Sequence, residues 1–399
     1  MEPLTSLLVE TTKGEALSIH LSSSYLYWKS GAHLYCFHID ELIGCNFQNC
    51  EFSLVAYKKF RFRFFKFTCQ FGSKFTENLL HLLNPTPKHF LLIYNPSSGL
   101  GLSYSHLHNL LIPILTQTSY TYEIFETMPN GYPISIINKI GEIFTHIIIL
   151  GGTGTLHSFL TAIYTINPSN FDKITIGILP SGTRNSLSID LNGKNINDGI
   201  YNILKNKTLK GDIMLVKVDD DVVVATSSVI WGVFGQISYE AELLKKFGWL
   251  RFAMVGIKTI VMPWKHCSGS FMCEKNDRNF LYRTGEFAGI CIGNNRGRDS
   301  RNNDIAFPLA SVTSGHIDAM IIDPIHKLMA ARMLFQMVND GEHATNHSIT
   351  NVKFKKGSIK SDSRSVINID GEMCIGKNVE IEVLSNKITY YGKLDILIY

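Results

Sequence analysis

Three short segments carry glycine at the density that ligand-binding turns require. They are Asn95-Pro96-Ser97-Ser98-Gly99-Leu100-Gly101, Gly151-Gly152-Thr153-Gly154-Thr155 and Leu179-Pro180-Ser181-Gly182-Thr183-Arg184-Asn185. Glycine lets the backbone approach a ligand and present its N–H groups, and a helix starting behind such a turn adds a partial positive charge. Phosphate is the usual guest. One turn of this kind can be plain strand-to-helix geometry, but three in one stretch point to a nucleotide. None reads GxxxxGK[ST], and GGTGT lacks the GxGxxG spacing, so neither a P-loop nor a dinucleotide fingerprint is present. Other reactive side chains are more scattered. Asp370 and Glu372 flank Gly371, in what is either a carboxylate pair or a hairpin turn. Lys245, Lys246 and Arg251 form either a phosphate-binding cluster or a solvated helix face. His343 and His347 stand four apart, a spacing that pairs them for a metal on a helix, yet no third ligand is evident and Asn346 suggests a loop, so no metal site is expected.

The elements that must position these loops alternate between strand and helix. His89–Tyr94, His146–Leu150 and Ile174–Leu179 are nearly continuous apolar runs, as expected of parallel strands buried on both faces, and each ends in one of the glycine turns. Leu156, Phe159, Leu160 and Ile163 recur at helical spacing after the second turn. The pattern predicts an α/β lobe over residues 87–217, with loops at the carboxyl ends of its strands, where ligands sit. Residues 218–399 read as a second, antiparallel β-sandwich lobe, interrupted by helices at about 237–247, 249–261 and 325–338. Trp249, Leu250, Phe252 and Met254 suit either its core or a lipid pocket.

Residues 1–86 read as β-rich. Runs such as ALSIHLS, YLYWKS, LYCFHI and FSLVAY are separated by turn residues, and KFTENLLHLLN follows with Phe75, Leu79, Leu80 and Leu83 at helical spacing. Several strands closed by one amphipathic helix form the outline of a pleckstrin-homology-like module. In the basic-aromatic stretch Lys58–Lys66, period two places Phe60, Phe62 and Phe64 on one face and Arg61 and Arg63 on the other. That stretch suits either anionic lipid or a half-buried strand with a solvated face.

Composition narrows the class. The chain has 399 residues, a net charge of +4 and 45% hydrophobic residues, enough for large cores and too apolar for disorder. No run reaches the roughly 18 apolar residues of a spanning helix, and MEPLTSLLVE lacks the basic and apolar regions of a secretion leader. The eight cysteines form no CxxC pair, the pattern of reduced cytosolic thiols. The small net charge gives no argument for nucleic acid. A cytoplasmic protein with peripheral membrane contact is expected.

Taken together, the three loops resemble the diacylglycerol-kinase-type catalytic domain, and among its members the sphingosine and ceramide kinases. The first loop matches NPxxGxG, the second falls on GGDGT and the third on LPxGTGN. Trp231-Gly232, then Glu240-Ala241-Glu242, Lys245, Lys246, Gly248 and Arg251-Phe252 resemble that family's acidic helix, basic pair and Arg-Phe, and Asp370-Gly371-Glu372 matches its DGE motif. The resemblance covers about residues 88–399. It implies ATP and Mg²⁺, with the nucleotide across a cleft between the lobes on Asn95, Ser97, Ser98, Thr127, Gly151, Gly152, Gly154 and Ser181. It further implies phosphate contacts from Lys245 and Arg251, and a nucleotide- or metal-associated acid at Glu372. The acceptor implied is the primary hydroxyl of a sphingoid base, with ceramide or diacylglycerol as alternatives.

The departures are specific. Thr153 stands at the position of the family's catalytic aspartate and takes no proton near neutral pH. The lipid-head-group acids of sphingosine kinases fall on Gln236 and Ser238, both neutral, and Arg184 replaces a glycine. Glu240, Glu242, Asp370 and Glu372 are the carboxylates available as substitutes. A catalytically degenerate relative that binds lipid or nucleotide without turnover is the alternative reading. A soluble-substrate kinase such as NAD kinase shares a GGDGT-like loop, but the N-terminal module and the helix before Arg251 argue against it.

Overall fold

The structure is a computed structural model describing residues 4–83, 86–128, 131–182, 185–244, 254–255, 257–258, 266–276, 279–298, 305–338 and 341–393. Its first unit is an antiparallel sheet of seven strands: β1 (Thr5–Thr11), β2 (Ala16–Leu21), β3 (Tyr25–Ser30), β4 (His33–His38), β5 (Leu42–Gln48), β6 (Glu51–Lys58) and β7 (Arg61–Thr68), in the order β4-β3-β2-β1-β7-β6-β5. Helix α1 (Ser73–Leu83) closes it and buries Phe75, Thr76 and Leu79. Strands β1 and β5 were not among the sequence runs; in both, small, polar or charged residues interrupt the apolar pattern.

The basic-aromatic stretch departs from simple alternation at its start. Lys59 and Phe60 both adopt positive φ, 51° and 63°, and form the turn between β6 and β7. Phe60 is therefore in the hairpin tip. Along β7, Phe65 and Phe67 face the module's core, on the side where Arg61 and Arg63 emerge beyond its edge. Phe62 points the other way and packs with Val55 of β6 against the next lobe.

That lobe holds four parallel strands: β8 (His89–Tyr94), β9 (Thr121–Glu126), β10 (His146–Gly151) and β11 (Thr175–Pro180), ordered β11-β10-β8-β9. Between β8 and β9 the chain makes α2 (Leu102–His106), a π-helical turn and α3 (Ile112–Leu115), while α4 (Ile134–Ile137) precedes β10. Helix α5 (Thr153–Ile166) leaves the second glycine turn. Its predicted stripe of Leu156, Phe159, Leu160 and Ile163 is fully buried with Ile147, Ile149 and Ile176. Helices α6 (Ser186–Asn192) and α7 (Ile196–Leu204) follow the third turn.

The remaining strands are β12 (Thr208–Val218), β13 (Asp221–Ala225), β14 (Ser228–Gly232), β15 (Cys267–Asn276), β16 (Asn279–Phe287), β17 (Gly289–Gly293), β18 (Ile317–Ile322), β19 (Ile349–Phe354), β20 (Lys356–Ile369) and β21 (Glu372–Tyr391). They pair antiparallel around a core containing Trp231, Phe271, Phe287 and Phe354. Helices α8 (Val233–Leu243) and α9 (Lys327–Val338) lie in this region. The two lobes share one sheet. Strand β21 pairs antiparallel with β12 along its length, and at its far end pairs parallel with β11 through Thr389 and Tyr390. A boundary at 217/218 thus assigns to the second lobe a strand that also completes the first.

Candidate functional site

The three glycine loops leave the carboxyl ends of β8, β10 and β11, and polar side chains hold them together. Asn95 Oδ1 accepts from the Ser97 N–H at 3.0 Å, and its Nδ2 donates to Thr155 Oγ1 at 3.1 Å, joining the first loop to the second. Gly101 takes φ = +87° where the first loop enters α2, a conformation that suits glycine. In the third loop Asn185, at φ = +59°, accepts from the Gly182 N–H at 2.7 Å and donates back to its carbonyl at 2.8 Å. The second and third loops touch: a Cβ built on Gly182 would lie 2.3 Å from the Gly152 Cα. Only glycine permits that approach.

A cavity of 430 Å³ opens over these loops and runs between the lobes. Asn95, Ser97, Ser98, Thr127, Gly152, Thr153, Gly154 and Glu372, all singled out in the sequence, line it together. Gly151 lies beneath, where a Cβ would meet Thr155 Oγ1 at 2.7 Å. Ser181 does not face the cavity. Its hydroxyl is buried and hydrogen-bonded to His106 Nδ1 at 2.9 Å, and burial holds that imidazole's pKa below its ordinary value. Gln236 is exposed on α8, its amide 3.4 Å from Glu240 Oε1, and is not among the lining residues. Ser238 is a backbone member of α8. Arg184, Lys245, Trp249, Leu250, Arg251, Phe252 and the Glu242 side chain lie outside the described residues.

The carboxylates sort by environment. Glu240 pairs with Lys258 Nζ at 2.9 Å, away from the cavity. Asp370 lines the cavity but is saturated. Its Oδ1 accepts from the Ser227 and Ser228 N–H groups at 2.8 and 2.9 Å, and its Oδ2 accepts from the Thr226 N–H at 2.7 Å and hydroxyl at 3.2 Å. Its backbone sits at φ = +54°, and His157 Nδ1 lies 3.9 Å from Oδ2. Such a carboxylate builds the loop before β14 and has little capacity left for a ligand. Glu372, two residues on, has no hydrogen bond or ion pair among the described residues, and its Oε1 lies 2.8 Å from where a Cβ on Gly154 would stand. It is the cavity-lining carboxylate free to act, poised over the first turn of α5 beside Thr153.

Sequence reasoning missed the other limb of the cavity. Ile230, Phe234, Cys291, Phe307, Met320, Leu334 and Met337 give it an apolar wall, drawn from β14, α8, β17, β18, α9 and the loop before β18. Each sits in an ordinary apolar pattern, so only the topology reveals that they face one space. Buried His343 contacts the same cavity and bonds the Ala306 carbonyl through Nε2 at 3.1 Å, whereas His347 is exposed beyond a 3₁₀ turn. The two do not share a helix face.

Comparison with known proteins agrees with this geometry. The family model of the diacylglycerol kinase catalytic domain matches residues 89–216. Sphingoid long-chain bases kinase 1 of Arabidopsis thaliana is 30% identical over 185 residues, which cover 43% of this chain and 24% of that protein. The match thus spans about a quarter of the plant relative's length. Ceramide kinase of Mus musculus is 22% identical over 82% of this chain and 78% of its own. A crystal structure of a diacylglycerol kinase from Bacillus anthracis superposes with a TM-score of 0.59 at 19% identity, over 77% of this chain and 98% of that one, a likeness of fold. The loops, the lobe that carries them and the matched residues converge: residues 89–216 are similar to the diacylglycerol kinase catalytic domain.

Proposed function

We propose that this protein is an ATP-dependent lipid kinase that phosphorylates the primary hydroxyl of a sphingoid base or a closely related lipid. The observation that carries the reading is the single cavity with two chemistries: glycine loops and Glu372 at one end, an apolar wall at the other. A nucleotide's phosphates suit the backbone N–H groups of the loops. An aliphatic chain suits the limb walled by Ile230, Phe307, Met320 and Leu334. A hydroxyl at the junction would then lie near Ser227, Ser228 and Asn368. In the transfer, the hydroxyl oxygen bonds to the γ-phosphorus, the bond to the β-phosphate oxygen breaks, and the hydroxyl proton passes to the Glu372 carboxylate. A positioned base of this kind contributes about 10²–10⁴ in rate.

Mg²⁺ fits the donor set. It binds through substrate phosphates with few protein carboxylates, so the phosphates over the glycine loops would hold it while Glu372 stays available as the base. The ion would neutralise charge on the transferring phosphoryl group. The mouse and plant relatives are named as ceramide and sphingoid-base kinases, which supports the lipid class without choosing between acceptors. We further infer that residues 4–83 form a pleckstrin-homology-like module giving peripheral membrane contact; no helix among the described residues is long and apolar enough to cross a membrane. The test is phosphate transfer from ATP in Mg²⁺ to sphingosine, ceramide and diacylglycerol in mixed micelles, comparing wild type with Glu372→Gln. Transfer that Glu372→Gln reduces at least a hundredfold supports the reading; no transfer by wild type to any acceptor refutes it.

One observation favours the second reading, binding without turnover. Thr153 opens α5 where a carboxylate would serve as base. If wild type binds ATP without transferring phosphate, and Thr153→Asp transfers it, the natural chain is the impaired member of a competent scaffold.

A further inference from the structure

A second cavity, of 260 Å³, lies where the N-terminal module meets the nucleotide lobe. Leu42 of β5 and Leu83 of α1 form its module side, and Lys88, Tyr120, Lys205 and Asn206 its lobe side. Lys88 is the residue before β8, so this cavity sits at the amino ends of the parallel strands. The glycine loops leave the carboxyl ends. At about 3.3 Å per residue along the six residues of β8, the two sites are roughly 20 Å apart.

The charge of this crevice is unusual. Lys88 is 8% exposed, and its ammonium bonds Asn206 Oδ1 at 2.6 Å and the Tyr391 hydroxyl at 3.1 Å while lying over the Tyr391 ring. The Lys205 ammonium bonds the Leu42 carbonyl at 2.7 Å. All of these partners are neutral, and neither lysine forms an ion pair among the described residues. Burial lowers the pKa of Lys88 to about 8 and that of Lys205 in the same direction; for Lys205 Asp40 opposes the shift and Lys207 adds to it. Burial and the charge of Lys88 bring His146 to about 4, so a neutral imidazole stands beyond the Tyr391 hydroxyl. A buried ammonium is costly without an anion. Here buried Lys88 and half-buried Lys205 border one small polar cavity, and Asn206 keeps its amide N–H₂ group as a further donor because its oxygen is taken by Lys88.

We propose that this crevice is a binding site for a phosphate group, with Lys88 and Lys205 as its counter-charges and the Asn206 amide as a neutral donor; the Tyr120 hydroxyl lines it but donates to the Leu204 carbonyl at 3.2 Å. Lysine binds phosphate as a point charge, and two ammonium groups match a phosphate dianion. The volume of 260 Å³ holds about nine waters at roughly 30 Å³ each, enough for a phosphate and a short substituent. The ligand is a soluble phosphate or the exposed head of a phosphomonoester lipid. It would bridge β5 of the module to the lobe, adding to the docking already made by Val55 and Phe62. The site does not rest on the kinase reading.

The test uses the full chain and inorganic phosphate, followed by calorimetric titration and thermal unfolding at constant ionic strength, with chloride as control. Phosphate should raise the unfolding midpoint of wild type where chloride does not. Lys88→Met and Lys205→Met should each weaken phosphate binding at least tenfold while leaving the ligand-free midpoint equal or higher. Gly152→Asp, which places a carboxylate in the nucleotide loops, should leave this binding unchanged. Should Lys88→Met not fold, Lys205→Met, on the cavity's more open side, decides alone. Flotation with phosphatidylcholine vesicles, with and without phosphatidic acid, identifies the source: lysine-dependent flotation on phosphatidic acid assigns a lipid head, and lysine-dependent binding of inorganic phosphate alone assigns a soluble one. Binding that survives both lysine substitutions, or that Gly152→Asp abolishes, overturns the proposal, the latter by assigning the phosphate to the main cleft. Failure of phosphate and vesicles alike to bind wild type overturns it too.

Discussion

Asp370 is the residue whose removal should reach furthest from the smallest change. Its side chain is fully buried, and its two oxygens take four hydrogen bonds, three from consecutive backbone N–H groups of residues 226–228. Thr226 is itself fully buried and Ser227 nearly so. Asp370→Asn keeps one acceptor oxygen and puts an N–H₂ group against donors at the other. Placing the oxygen toward Ser227 and Ser228 preserves two bonds and sets the amide against the Thr226 N–H. At about 1.5–3 kcal/mol for a hydrogen bond to a charged group, the substitution should cost about 3 kcal/mol. Asp370→Ala leaves all three N–H groups without an acceptor and should cost about 5 kcal/mol, comparable with the whole stability of many domains. Denaturant unfolding at neutral pH gives both values, and amide exchange at residues 226–228 locates them. In Asp370→Asn the Thr226 amide should lose protection more than Ser228. If both variants fall within 1 kcal/mol of wild type, or cost the same, the carboxylate is not what organises the loop before β14, and the division of labour between Asp370 and Glu372 fails with it.

Three further outcomes are expected. Gly182→Ala puts a methyl 2.3 Å from the Gly152 Cα, so the second and third loops must part; ATP binding measured by calorimetry should weaken at least tenfold while the fold persists. Asp318 has its pKa raised to about 6, first by burial, with Lys353 opposing. Because the folded value exceeds the unfolded one, its contribution is complete below about pH 4 and is lost as pH rises through 6. Asp318→Asn should therefore be more stable than wild type at pH 8, by up to about 3 kcal/mol, with the difference gone at pH 4, as followed by urea unfolding. A fragment of residues 86–217 should not give a cooperative unfolding transition, because β11 and β12 both lose their partner β21.

Much of the architecture is legible in the sequence where local chemistry and global position agree. The runs of β8, β10 and β11 are apolar because both faces are covered, and each ends in a glycine turn that also starts a helix. The stripe on α5 follows the same logic. Legibility fails where a residue's role depends on a distant partner. Ser181 lies in the right loop, yet its hydroxyl turns inward to His106, which comes from another part of the chain. Gln236 occupies a suggestive position, but its helix turns it to solvent. Asp370 and Glu372 look equivalent in sequence. One accepts four hydrogen bonds from residues far earlier in the chain and the other none, and no local pattern records that difference. The apolar limb of the cavity was illegible for the same reason, as six separate segments build it.

Strand β21 carries a consequence for how the molecule is made. Its first residue, Glu372, stands in the main cleft, and its last, Tyr391, receives Lys88 in the far crevice. The nucleotide lobe emerges early during synthesis, yet the edge of its parallel sheet at β11 stays open until residues 389 and 390 arrive. Until then β11 is an unpaired strand edge, the kind of surface that recruits wrong partners. The later lobe thus completes the earlier one, and the cleft between them can form only when both are whole.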